Sequence, residues 1–253
     1  MTEKSKAPDS HLTDIKGVLF DLDGTLYKKP VLLELLMAAM QPKDLKLLAN
    51  ISSARDSMRG IQYENKDELL HALFVRLAEK TGRSPEAVSR WYNTKFFPSF
   101  IWILRHWAAA RPGLVSLLGN LKQKDMKIGV LSDFARIRER LEALGISPAL
   151  FDDMLSVEET GCLKPSPGPF LKSARNLGVP PGQLLVVGDR QDLDARGAEA
   201  AGMPFMGIAG NRNCSCENFY PWEVCRSLIL NMVPVQGPSV ETQSEGRGGF
   251  SLP

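Results

Sequence analysis

Histidine and cysteine are scarce in this chain, with three histidines and four cysteines among 253 residues. Cys162, Cys214, Cys216 and Cys225 lack the spacing of roughly two to four residues that a zinc knuckle uses, and no histidine lies near Cys214, Cys216 and Cys225. The cysteines therefore read as reduced thiols rather than as a metal site or a disulfide framework. An excess of one charge is missing too: 31 Lys and Arg against 29 Asp and Glu leave a formal net charge of +2. Without a basic block, or basic residues interleaved with aromatics, there is no case for a nucleic-acid surface. Long apolar runs are also absent. The segments 31–40 and 96–110 are the most apolar, but Glu34 interrupts one and Pro98 and Arg105 the other, short of the roughly 20 residues that span a bilayer. The polar start Met1-Thr2-Glu3-Lys4-Ser5-Lys6 does not read as a secretory signal, so the expected location is cytoplasmic and no membrane partner is expected. No serine nucleophile elbow with Asp and His partners is present either.

What the chain does have is acid at strand ends. Val18-Leu19-Phe20-Asp21-Leu22-Asp23-Gly24-Thr25-Leu26 carries two carboxylates from an apolar strand into a turn. Taken alone, Asp-Leu-Asp-Gly-Thr is an ordinary polar turn, since Asp and Gly favour turns. Three later clusters change that reading. Lys127-Ile128-Gly129-Val130-Leu131-Ser132 ends an apolar run in a hydroxyl suited to a phosphate oxygen. Lys164 precedes a helix start with Ser166 as N-cap and Pro167 at the first helical position. Leu184-Leu185-Val186-Val187-Gly188-Asp189 runs a buried-type strand into acids, with Asp192 and Asp194 following. Open parallel sheets place their ligands at the carboxyl ends of strands, so these clusters converge on one crevice.

In this order the four clusters resemble the haloacid dehalogenase (HAD) superfamily, specifically its magnesium-dependent phosphatase branch, similar to phosphoglycolate phosphatase and β-phosphoglucomutase. The resemblance covers residues 15–207 in the core and leaves the last forty or so residues unmatched. It implies that Asp21 is the nucleophile, Asp23 the general acid and base, and Thr25 the turn residue of the first motif. Ser132 and Lys164 would bind phosphate, and Asp21, Asp23 through its backbone carbonyl, Asp189 and Asp194 would hold Mg²⁺. The second acid at position 23 argues against dehalogenation, which has no alkoxide to protonate, and against the phosphonatase members.

The chemistry is consistent with that assignment. A carboxylate approaching phosphorus is repelled by the phosphate's own charge, and a hard divalent cation held by one or two carboxylates relieves the repulsion. Asp21 would take the phosphoryl group as an aspartyl-phosphate, with Asp23 protonating the leaving group and then activating water. Lys164 would also restrain Asp21 while substrate is absent. The expected substrate is a small phosphorylated metabolite. A phosphomutase of the same fold and a non-catalytic binding protein are the alternatives.

The expected fold is α/β, a Rossmann-like parallel sheet of five strands with the first strand central, as the resemblance implies, and an inserted all-α cap. Residues 15–27 and 112–234 would form the core and 28–111 the cap, with 1–14 and 235–253 read as disordered ends. Strands at 127–131, 154–157, 184–187 and 204–208 alternate with helices at 135–144, 167–177 and 193–201. In the cap, Leu69, Leu70, Leu73, Phe74 and Leu77 recur at helical spacing, Asn65 and Glu68 predict a capping box, and Gly82 a stop. Arg55 and Arg59, four apart, would share one helical face, either as a solvated surface, the favoured reading, or as contacts to an anionic substrate. The aromatic stretch Trp91, Tyr92, Phe96, Phe97, Phe100, Trp102 and Trp107 is expected mainly to pack the cap, with one or two rings left for substrate and an exposed remainder for a homodimer contact.

Overall fold

Strand burial decides the architecture. The computed structural model describes residues 14–210 and 218–232. β1 (Gly17–Asp21) is buried at every position, as a strand covered on both faces must be. With β2 (Lys127–Ser132), β3 (Asp153–Ser156), β4 (Leu184–Gly188), β5 (Phe205–Ile208) and β6 (Phe219–Tyr220) it forms one sheet in the order β3-β2-β1-β4-β5-β6. Every pairing is parallel, with Phe20 opposite both Val130 and Val187. The ends of β1, β2 and β4 are therefore level. The chain builds outward from β1 to β3, then returns to place β4 on the other side of β1, so the strand order reverses beside Asp21. Such a switch point opens a crevice at the carboxyl edge.

Among the described residues the sheet has six strands where five were expected. The extra strand is the two-residue β6, parallel to β5 through Gly207 and Ile208, and two residues carry no periodicity that a sequence reading can detect.

Of the six α-helices between β1 and β2, the first five lie within residues 28–111: α1 (Leu33–Met40), α2 (Leu45–Asp56), α3 (Lys66–Thr81), α4 (Pro85–Trp91) and α5 (Phe97–Trp107). Asn65 caps α3 by accepting from the Glu68 amide at 3.0 Å, while Glu68 reaches back to the amide of Glu64 at 2.6 Å, one residue earlier than in the usual capping box. Gly82 ends α3 at φ 71°. Ser84 caps α4, and a wider π turn over Tyr92–Phe96 joins it to α5. Trp91, Tyr92, Phe96, Phe97 and Phe100 are all buried, whereas Trp102 and Trp107 are 44% and 52% exposed.

In the sheet-forming part, α6 (Leu114–Gln123), α7 (Ile137–Ala143), α8 (Pro167–Leu177) and α9 (Arg196–Ala200) cover the strands, and α10 (Trp222–Met232) follows β6. Two expected helices start later than their patterns suggest. α7 begins after Arg136, which takes a left-handed φ of 56°, and the turn before α9 is π-helical over Gln191–Ala195. Ser166 stands before α8 as expected but makes no side-chain cap bond. Cys162 and Cys225 are buried free thiols. Burial pushes the Cys225 thiol up to about 11. Cys214 and Cys216, the first thirteen residues and the tail from 233 lie outside the described residues. Among the described residues no helix is long and apolar enough to cross a membrane.

Candidate active site

Asp21 closes β1 with both carboxylate oxygens engaged. Thr25 Oγ1 donates to Oδ2 at 2.9 Å and Lys164 Nζ to Oδ1 at 2.8 Å. Lys164 is 1% exposed and donates as well to Asp194 Oδ1 at 2.9 Å and to the Leu131 carbonyl at 3.0 Å. Burial opposes its charge, but Asp194 and Asp21 outweigh burial and hold its pKa well above the ordinary lysine value. Lys164 is therefore a fixed cation. The turn after β1 is shaped by Gly24 at φ 98°, where an added Cβ would lie 2.0 Å from Asp189 Oδ2. Only glycine lets the two strand-end turns approach so closely.

Asp189 and Asp194, from the turn after β4, complete an acidic group with Asp21. One oxygen of each of the three lies within 4.8 Å of the others. Burial pushes the Asp194 carboxyl up to about 7, with Lys164 pulling it down and Asp21 adding to the rise. Asp189 rises to about 6, again by burial first, against Lys29 and reinforced by Asp21. Asp189 Oδ1 is buried with no hydrogen-bond partner. Asp192 stays outside this group, paired with Arg190 at 2.6 Å on the exposed side.

Asp23 belongs to a different set of contacts. Its side chain is not part of the acidic group. Its Oδ1 accepts from the Tyr27 hydroxyl at 2.6 Å, and its Oδ2 from Arg140 Nη2 and from Ser132 Oγ, the latter at 3.3 Å. Burial alone would raise its pKa, but Arg140 and Lys29 reverse that and leave it lowered. Ser132 is fully buried and accepts from Arg140 Nη1 at 2.9 Å, so its hydroxyl faces Asp23 and Arg140.

Arg55 and Arg59 differ from the solvated face expected of them. Helix α2 ends at Asp56, so Arg59 lies in the turn beyond it and shares no helical face with Arg55. Arg55 is 3% exposed; it pairs with Glu158 at 2.9 Å, donates to the Asp133 carbonyl and lies 4.5 Å from the Phe134 ring centre. Arg59 pairs with Asp56 at 2.9 Å and donates to the Lys164 carbonyl. Both line a cavity of about 220 Å³ whose walls include Asp21, Asp23, Lys164, Asp189 and Asp194.

A family model described as haloacid dehalogenase-like hydrolase matches residues 15–202. The chain belongs to that family. The glyceraldehyde 3-phosphate phosphatase of Methanopyrus kandleri is 32% identical over 204 residues, covering 75% of this chain and 82% of the relative. The phosphoglycolate phosphatase of Escherichia coli O157:H7 is 26% identical over 222 residues, covering 81% and 85%. The solved HAD phosphatase from Thermococcus onnurineus shares the fold with a TM-score of 0.60 at 20% identity, over 85% of this chain and 98% of that one.

Three residues of this HAD-like hydrolase escaped the sequence reading. Arg140 had a usable signal: it sits on the apolar stripe of Ile137, Leu141 and Leu144, all buried, and a buried arginine needs an acid. Tyr27 had only its place four residues after Asp23. Arg111 donates to the Thr25 and Gly24 carbonyls at 2.7 and 2.6 Å, bracing the turn from 86 and 87 residues away, and no local pattern marks it.

Proposed function

We propose that this HAD-like hydrolase is a magnesium-dependent phosphatase of small phosphate monoesters, acting through an aspartyl-phosphate on Asp21. The observation that carries the reading is the close group of Asp21, Asp189 and Asp194, with Lys164 paired to the two buried members, Asp21 and Asp194. Three carboxylates against Lys164 and the half-exposed Lys29, 4.0 Å from Asp189, still leave negative charge for a divalent cation to offset. The donors are hard oxygens and Asp189 Oδ1 lacks a partner, so the residues fit Mg²⁺. Asp21, Asp189 and Asp194 would hold the ion with the Asp23 carbonyl. When bound, it offsets the charge of the phosphoryl oxygens and the nucleophile.

The protein's own groups do the rest. Thr25 and Lys164 hold one oxygen each of Asp21, so the nucleophile is oriented before substrate arrives. As the bond from Asp21 to phosphorus forms and the ester bond breaks, Asp23 gives its proton to the leaving oxygen. It then takes a proton from the water that cleaves the acyl phosphate. The grip of Arg140 favours the Asp23 carboxylate and thus the second half of the cycle. The first half needs Asp23 protonated and turned toward the leaving group, which frees Ser132 to join Lys164 on the non-bridging oxygens.

The helices within 28–111 would act as a cap over the body formed by 15–27 and 112–234, with Arg55 and Arg59 as its cationic side facing the phosphate. Relatives named for glyceraldehyde 3-phosphate and phosphoglycolate support a small monoester as substrate. A cytoplasmic setting goes with such substrates. The test is phosphate release from a metabolite panel with Mg²⁺ and with chelator, comparing the native chain with Asp21→Asn. Turnover that needs Mg²⁺ and vanishes in the variant is expected; turnover that survives Asp21→Asn rules out the covalent step.

A further inference from the structure

We propose that the alcohol released by this enzyme is apolar, and that it occupies a second cavity beyond Asp23. The inference rests on the phosphatase reading and adds the class of leaving group. Beside the carboxylate cavity lies another of about 620 Å³. The two share Asp23, Lys29, Ser52, Phe134 and Arg190, whereas Asp21, Lys164, Asp189 and Asp194 line the first alone.

That division follows the reaction. The phosphoryl group belongs with the nucleophile and the lysine, and the leaving oxygen belongs at Asp23. Whatever is attached to that oxygen continues past Asp23 into the second cavity. Most of its lining is apolar, including Met37, Leu48, Ile51, Phe96, Phe100 and Phe134. Met37, Ile51, Phe96 and Phe100 are 5–6% exposed, and the rings of Phe96 and Phe100 stand 5.7 and 6.3 Å from that of Phe134.

Polar partners for a leaving group are scarce there. The Tyr27 hydroxyl is committed to Asp23 at 2.6 Å, and Arg190 is held by Asp192 at 2.6 Å. Lys29, Glu34 and Ser52, the remaining polar groups of the lining, are exposed side chains. A carboxylate or polyol entering between the aromatic and aliphatic walls would lose water without gaining equivalent bonds, whereas an alkyl, prenyl or aryl group gains by the same transfer. Leu45, which also lines the cavity, is 50% exposed, so the apolar wall runs out to the surface and accepts chains longer than the cavity.

The experiment is a chain-length series of ethyl, butyl, hexyl and octyl phosphate with Mg²⁺, set beside phosphoglycolate and glyceraldehyde 3-phosphate. The expected result is a kcat/KM that rises by about fourfold for each methylene until the cavity is filled, with octyl phosphate above both polar metabolites. Ala49→Phe, an exposed α2 position lining the cavity, should flatten the ratio of octyl to ethyl turnover. The same series is read as binding to Asp21→Asn by calorimetry, which does not depend on turnover. A flat or falling series in both readouts, with ethyl phosphate still hydrolysed, overturns the apolar subsite and leaves the phosphatase intact. No hydrolysis of any ester by folded native protein, with affinity still rising along the series, overturns the phosphatase and leaves the apolar site.

Discussion

Arg140 and Tyr27 divide the two oxygens of Asp23 between them, and with Ser132 they make the acid of the proposed reaction part of a fixed network. A guanidinium beside a carboxylate favours the charged form, and so does a phenol that donates to it. Removing either donor therefore raises the Asp23 pKa. Tyr27→Phe should move the limb of the kcat/KM profile that falls with rising pH, where Asp23 loses the proton that the first half of the cycle needs, to higher pH, measured from pH 4 to 9 on one substrate; an unmoved limb means that Asp23 does not govern it. Arg140→Met removes what favours the Asp23 carboxylate, so it should slow breakdown of the aspartyl-phosphate and cut kcat by about 10²–10³ on an alkyl phosphate and on p-nitrophenyl phosphate alike, while kcat/KM falls far less. Arg140→Lys should recover part of the loss, and circular dichroism checks that each variant folds. Equal falls in kcat and kcat/KM would mean a structural role only. At this scale the sequence was legible where a residue sits in a short pattern: Asp21, Thr25, Asp189 and Asp194 lie within six residues of a strand end. It was not legible for Arg140 and Arg111, whose partners are 117 and 86 or 87 residues distant.

Helix α2 and the end of α4 are tied to the segment after β3 by a buried set of charges. Arg55 pairs with Glu158 at 2.9 Å, Tyr92 donates to the same Glu158 oxygen at 2.6 Å, and the other oxygen is buried without a partner. Such a pair adds little net stability while intact, because desolvation consumes the attraction, but removing one partner strands the other. Arg55→Met or Glu158→Met should each cost about 3–5 kcal/mol in urea unfolding, and the double variant should lose much less than the sum of the two. Additive losses would mean that the two residues do not act as a pair. The helices themselves were readable from period and caps: Asn65, Gly82 and Ser84 mark α3 and α4 by local chemistry. The elements that were misjudged are those set by distant contacts. Arg136 takes its left-handed turn while its guanidinium donates to the Asn93 carbonyl at 2.8 Å and lies over Phe97, which shortens α7 at its start. β6 exists because β5 offers it an edge.

For the whole molecule, folding without metal confines Asp194 and Asp189 where their carboxyls titrate near about 7 and about 6, above the ordinary 3.8. The folded state thus binds protons more tightly than the unfolded chain. The stability linked to these two groups is fully present below about pH 4 and is lost as pH rises through 6 and 7. A divalent cation replaces those protons and reverses the loss, since metal binding favours the deprotonated ligands and stabilises only the folded state. In chelator, Tm should fall between pH 5 and pH 8. Mg²⁺ at about a hundredfold over its Kd should add about 2.7 kcal/mol at pH 8, or about 5–10 °C in Tm for a chain of this size. The gain should shrink at pH 5, where protons compete for the same oxygens. Asp194→Asn removes one buried charge, so it should raise Tm in chelator at pH 8 and at the same time blunt the response to Mg²⁺. Scanning calorimetry of both proteins at the two pH values checks the sign directly. A native Tm that ignores Mg²⁺ at pH 8 would mean that the acidic group holds no divalent ion and that Lys164, with Lys29 at 4.0 Å from Asp189, offsets its charge without one.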